Sequence, residues 1–157
     1  MVFNPKLVSL FANTGVNHAS RRCEEEGAVL DATDLAVNDL LKEGYAPESI
    51  AVLSFRGVSS SKLFNDDIAN LGQLPIKKFI GYTDKGVPNW TNGKLFLDSL
   101  FRFKGQCADA VVLTEVDFSE WDENTKRRLF VGLSRARLMV SLVVSEQASD
   151  LIDEKLN

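Results

Sequence analysis

The run Ile50-Ala51-Val52-Leu53-Ser54-Phe55 constrains the fold of this chain more than any other stretch. Its apolar residues are consecutive rather than alternating, so both faces of the strand it predicts need cover. That is the situation of a parallel strand held between two helical layers. On the N-terminal side, the stretch from about Glu24 to Glu43 carries Val29, Ala36 and Leu40 on one helical stripe, widened by Leu30, Val37 and Leu41. Gly44 stands where such a helix needs a left-handed residue to end.

The same alternation continues along the chain. Leu7 to Ala12 is a short apolar run closed by the turn signal Asn13-Thr14-Gly15. Ser59, Ser60 and Ser61 offer N-caps to a helix bearing Phe64, Ile68 and Leu71. Lys77 to Tyr82, Lys94 to Ser99, Ala110 to Thr114 and Leu138 to Val144 are predicted strands, and 83–93 a polar loop. Ser119-Glu120-Trp121-Asp122 has the spacing of a capping box before a helix reaching about Arg137, and a last helix is expected over 146–156. Strands alternating with helices predict an α/β sandwich with a mainly parallel sheet, in one domain spanning 1–157.

Composition narrows the chemistry. Eighteen Lys and Arg against 22 Asp and Glu give a net charge of −4, so any contact with nucleic acid has to come from a local patch. His18 is the sole histidine, which argues against a multi-histidine metal site, and no metal site is expected. Cys23 and Cys107 are too few and too far apart for a zinc knuckle and read as free thiols. No apolar stretch approaches the ~20 residues of a membrane span, and Met1 to Lys6 lacks the features of a signal peptide. The expectation is a cytoplasmic protein.

Three basic segments lie at element ends. Arg56-Gly57 follows the Ile50 run, Ser99 to Gln106 precedes the strand Ala110-Val111-Val112-Leu113, and Lys126 to Arg137 runs into the last strong strand. Each has an ordinary reading: a solvated strand-end charge, a Lys-Gly turn, and cations complementing a helix dipole. Trp90 and Trp121 are open both to base stacking and to plain packing. Arg21-Arg22 and Lys77-Lys78 are open to a phosphate contact, with solvated surface as the ordinary reading.

In combination, the three segments resemble the second RecA-like domain of superfamily 1 helicases of the UvrD/Rep type. Ile50 to Gly57 is similar to helicase motif IV, Ser99 to Leu113 to motif V, and Lys126 to Arg137 to motif VI, where Leu129, Val131, Leu133, Ser134, Arg135, Ala136 and Arg137 all fit. The resemblance implies a RecA-like three-layer sandwich. It implies that Arg135 and Arg56 reach the γ-phosphate of ATP, held with Mg2+ by a P-loop-bearing first RecA-like domain, as arginine fingers. It implies that Gly105, Gln106 and Cys107 face the nucleotide sugar, and that Ser99, Phe101 and Arg102 contact single-stranded DNA.

Three positions depart from the family pattern: Cys107 stands for the ribose-binding Glu, Phe101 for a His, and Thr125 for an acidic residue before motif VI. The P-loop pattern G-x-x-x-x-G-K-[ST] occurs nowhere in the chain, and there is no Walker B strand leading into an Asp-Glu pair. The chain is therefore expected to act as the C-terminal half of an ATP-dependent DNA helicase or translocase, inactive in isolation. The alternative is a non-catalytic adaptor of helicase fold that binds protein or single-stranded nucleic acid.

Overall fold

A computed structural model describes residues 21–22, 26–65 and 67–156. The predicted strand Leu7 to Ala12, its turn at Asn13-Thr14-Gly15, His18 and Cys23 lie outside the described residues. Two short strands and a helix open the described part: β1 (Arg21–Arg22), α1 (Glu26–Lys42) and β2 (Ile50–Ser54). Then come β3 (Asn70–Leu71), β4 (Leu74–Lys77), β5 (Phe79–Tyr82), β6 (Pro88–Trp90) and β7 (Leu95–Ser99). The chain closes with β8 (Ala108–Val116), α2 (Glu123–Leu133), β9 (Ala136–Val144) and α3 (Glu146–Leu156). Among the described residues, no helix is long and apolar enough to cross a membrane.

Seven strands form one sheet in the order β1-β9-β8-β2-β7-β4-β3, and β5 and β6 form a separate hairpin. Every pairing in the main sheet is parallel except β3 with β4. The period of two along each strand explains why the apolar runs are continuous. Ile50 and Val52 of β2, Leu95 and Leu97 of β7, and Ala110 and Val112 of β8 point to the face covered by Ala32, Ala36, Val37 and Leu40 of α1. Ala51, Leu53, Val111 and Leu113 point to the opposite face, against Leu129 and Leu133 of α2, with Ile152 of α3 at its margin. The result is the three-layer α/β sandwich that the sequence predicts.

Helix α1 ends as Gly44 demands. That residue has φ +100°, the Gly44 N–H donates to the Leu41 carbonyl and the Tyr45 N–H donates to that of Leu40, the pair of bonds of a Schellman motif. The helix is also pinned through its apolar face. The Thr33 hydroxyl donates to the Val29 carbonyl at 2.7 Å, leaving its lone pair for the Thr114 hydroxyl of β8, also at 2.7 Å.

The helix expected around Phe64, Ile68 and Leu71 is not there. Only a single 3-10 turn forms at Lys62–Phe64, capped by the Ser61 side chain, and Leu71 belongs to β3. The competing constraint is Lys78, which is buried rather than solvated. Its ammonium donates to the Asn65 carbonyl at 3.0 Å and the Ile68 carbonyl at 2.7 Å, so these groups satisfy a buried charge instead of a helix ladder. The expected strand Lys77 to Tyr82 breaks at Lys78 into β4 and β5, and the expected loop 83–93 contains β6. Helix α2 is capped by Asp122, whose side chain accepts from the Thr125 N–H at 2.7 Å, and it stops at Leu133 rather than near Arg137.

Between β6 and β7 the chain crosses β4 at Gly93. A Cβ there would lie 2.2 Å from the Ile76 carbonyl carbon and 2.3 Å from its oxygen, both backbone atoms of a paired strand. Gly93→Ala is expected to lower stability by about 1–3 kcal/mol through overpacking, read as a fall in the urea midpoint with an unchanged m-value.

Candidate functional site

Parallel pairing gives the sheet two chemically different edges. At the carboxyl edge, Ser99, Ser54 and Thr114 stand in one row across β7, β2 and β8. At the amino edge, Ala108 of β8 pairs with Ala136 of β9. Along β8 the two levels are six residues apart, about 20 Å at ~3.3 Å per residue.

The carboxyl edge gathers Arg56, the turn after β7 and the end of β8. Glu115, with φ +56° and only 6% exposed, turns its carboxylate back under this edge. It accepts from the Ser54 hydroxyl at 2.8 Å, from the Ser61 hydroxyl, and from the Lys62 N–H at 3.1 Å. The Ser61 and Lys62 donors hold the loop after β2 onto the sheet. Arg56 is half-exposed and lies 3.5 Å from Asp117. Ser99 is buried, and its hydroxyl accepts from the Arg102 N–H at 3.3 Å, so it braces the turn from beneath. Phe101 is 55% exposed on the turn's outer side. Arg102 lies 3.5 Å from Asp98, with its guanidinium 4.1 Å above the Phe79 ring.

Arg128 of α2 reaches this edge as well. Its guanidinium donates to the Phe55 carbonyl and stacks on the rings of Phe55 (4.2 Å) and Phe101 (5.1 Å). Its Nε is buried without a partner, and burial pushes its pKa down, against the pull of Asp122. Neither Glu115 nor Arg128 stands out as a site residue in the sequence. Glu115 sits inside an apolar run, and Arg128 is one cation among several on its helix.

The amino edge gathers the other candidates. Gly105 takes φ +81°, which lets the chain turn from the β7 crossover into β8. Arg135 donates through Nη1 to the Gln106 carbonyl at 3.3 Å, while its own carbonyl accepts from the Ala108 N–H at 3.0 Å. Its Nε is buried and unpartnered. Cys107 lines a cleft of about 260 Å³ together with Lys77, Lys94, Phe96 and Phe103. Arg137 pairs with Asp109 at 3.3 Å on the open surface, where such a pair contributes little.

Gly105, Gln106, Cys107 and Arg135 are therefore brought together, and Ser99, Phe101 and Arg102 form a second group. Arg56 stands with the second group, because it follows β2 whereas Arg135 precedes β9, and the length of β8 lies between them. Among the described residues, no group of three or more His, Cys, Asp or Glu side chains could hold a metal ion.

Residues 94–143, from the start of β7 into β9, match the family model of the UvrD-like helicase C-terminal domain. The chain resembles a UvrD-like helicase C-terminal domain. Both edge groups fall inside the matched segment except Arg56. The fold is similar to a solved structure described as the C-terminal domain of a possible DNA helicase from Lactobacillus plantarum WCFS1. The two share 16% identity over 89% of this chain and 84% of that one, with a TM-score of 0.57. At that identity the likeness is one of fold. No curated protein matches the sequence.

Asp98, beside the turn that follows β7, gives a pH test of this edge. Burial raises its carboxyl pKa, outweighing the Ser99 N–H and the Arg102 charge, which lower it. The folded state thus holds this proton more tightly than the unfolded chain does. The contribution of Asp98 to stability is then largest below the ordinary carboxylate range and is lost as pH rises through its folded-state value. Asp98→Asn should gain stability relative to the wild type as pH rises from about 4 to 7, measured as the difference between their urea midpoints.

Proposed function

We propose that this chain is the second RecA-like half of an ATP-dependent DNA helicase or translocase motor. In this reading its amino edge faces a nucleotide held by a P-loop-bearing companion domain, and its carboxyl edge faces single-stranded DNA. The observation that supports it is the meeting of Arg135 with the Gly105–Cys107 turn. The register Ala108↔Ala136 places a guanidinium and a Gly-containing turn side by side, at the opposite end of β8 from the row Ser99, Ser54 and Thr114.

The residues present fit the outer side of a nucleotide site rather than its cradle. One arm of Arg135 is tied to the Gln106 carbonyl, which orients the rest of the fork, and its buried Nε has no acceptor. A guanidinium held in that way stabilises charge on a phosphoryl group without having to reorganise. ATP with Mg2+ would supply the phosphoryl chemistry when bound by the companion domain. Lys77 stands in the cleft with Cys107, and Lys94 is paired there with Glu48 at 3.9 Å, where the family carries a ribose-binding carboxylate. Arg56, at the other edge, is assigned to the DNA side.

The chain alone is expected to show no Mg2+-dependent ATP turnover. Joined to the P-loop domain of its own protein, it should support single-strand-stimulated turnover that falls 10³–10⁵-fold on Arg135→Ala and is poorly restored by Arg135→Lys. Arg56→Ala should leave basal turnover within a few-fold of wild type. Unchanged turnover in Arg135→Ala, with the fold intact, would sink the nucleotide-edge assignment.

A further inference from the structure

The β5–β6 hairpin stands outside the segment that matches the helicase family, and nothing said so far gives it a purpose. A two-stranded hairpin is marginal by itself, so one that projects from a sheet needs anchoring. Here the anchor is aromatic. Trp90 packs on Phe96 of β7 with ring centroids 5.4 Å apart, Phe79 meets Trp90 edge-on at 5.4 Å, and Tyr82 meets Phe79 edge-on at 5.1 Å. The series runs outward from the core to solvent: Trp90 and Phe79 are half-buried, and Tyr82 at the outer end is 70% exposed. The turn beyond it is closed by paired bonds, Thr83 N–H to Val87 O and Gly86 N–H to Thr83 O, both at 2.8 Å.

Cations sit against these rings. Arg102 covers Phe79 at 4.1 Å, Lys77 lies 5.7 Å from the Trp90 centroid, and Arg128 stacks on Phe101, the neighbour of Arg102. The solvent-facing cations around the hairpin are Lys77, Lys85 and Arg102 against Asp84, since Lys78 is buried on the Asn65 and Ile68 carbonyls and Lys94 lies 3.9 Å from Glu48. The hairpin is thus a local basic patch with an exposed ring at its tip, joined through Arg102 to the turn Ser99–Arg102.

We propose that the β5–β6 hairpin is a stacking platform for single-stranded nucleic acid, with Tyr82 receiving a base and Arg102 the adjoining phosphate. Alternating rings and cations suit a polymer of stacked bases on a charged backbone, and stacking on an aromatic face needs no particular sequence. The inference rests on the reading that the carboxyl edge faces the strand, and it extends that contact onto an element the family match does not include.

The test is fluorescence anisotropy of a fluorescein-labelled dT20 oligonucleotide titrated with the full chain at low salt. The expected result is binding that weakens about fivefold or more in Tyr82→Ala, equally in Tyr82→Leu, and not in Tyr82→Trp. Because Tyr82 is exposed, these variants should keep the wild-type circular dichroism spectrum and melting temperature. Tyr82→Leu binding as tightly as wild type would show an apolar contact rather than stacking and overturn the proposal. Binding that is lost in Arg102→Ala but unchanged in Tyr82→Ala would overturn it too, while leaving the strand-facing edge intact. No binding of dT20 by the wild type would remove both.

Discussion

A strand that is hydrogen-bonded on both sides and packed on both faces has no alternative register, because a slip of one residue would turn every core side chain toward the wrong layer. Strand β8 is in that position, between β2 and β9, with Ala110 and Val112 facing one helix layer and Val111 and Leu113 the other. Each of its ends is attached to one of the candidate contact regions. The turn Gly105–Cys107 leads into it, and Glu115 leaves it under the loop that follows β2. The separation of the two edges is therefore a property of the core and not of the loops.

The polar groups buried at the carboxyl edge show how a surface loop becomes part of that rigid frame. Glu115 adopts a backbone conformation that a side chain other than glycine rarely takes, and it does so to receive three donors from the loop and from β2. Lys78 does the equivalent service by donating to the Asn65 and Ile68 carbonyls. In both cases a charge removed from water is matched by several hydrogen bonds, the condition under which burial is tolerable.

Much of this was legible in the sequence where a single periodicity dominates. The run at Ile50, the stripe on α1 with Gly44 behind it, and the strands around Ala110 and Leu142 follow from spacing alone. Phe64, Ile68 and Leu71 show the limit, since three apolar residues at helical spacing say nothing of a lysine thirteen residues after Asn65 that claims the carbonyls in between. The proline and asparagine of β6 conceal a strand whose pairing is secured by aromatic contacts instead of β propensity. Arg56 and Arg135 show a different limit. Local motifs reveal that a cation stands at a strand end, and only the direction of the strands tells which end it is.

Helix α2 runs between the two edges, and it is fastened toward both. Near its middle Arg128 grips the Phe55 carbonyl and the Phe101 ring, and just past its last turn Arg135 grips the Gln106 carbonyl. Eleven residues at 1.5 Å each make a rod of about 16 Å, seated so closely that a Cβ at Gly132 would lie 2.7 Å from the Leu113 side chain. A rod clamped in this way can slide or tilt only as a unit. Any displacement of the Phe101 turn that α2 follows must be felt at Arg135, and a pull on Arg135 must in turn tug the aromatic rim at the far edge.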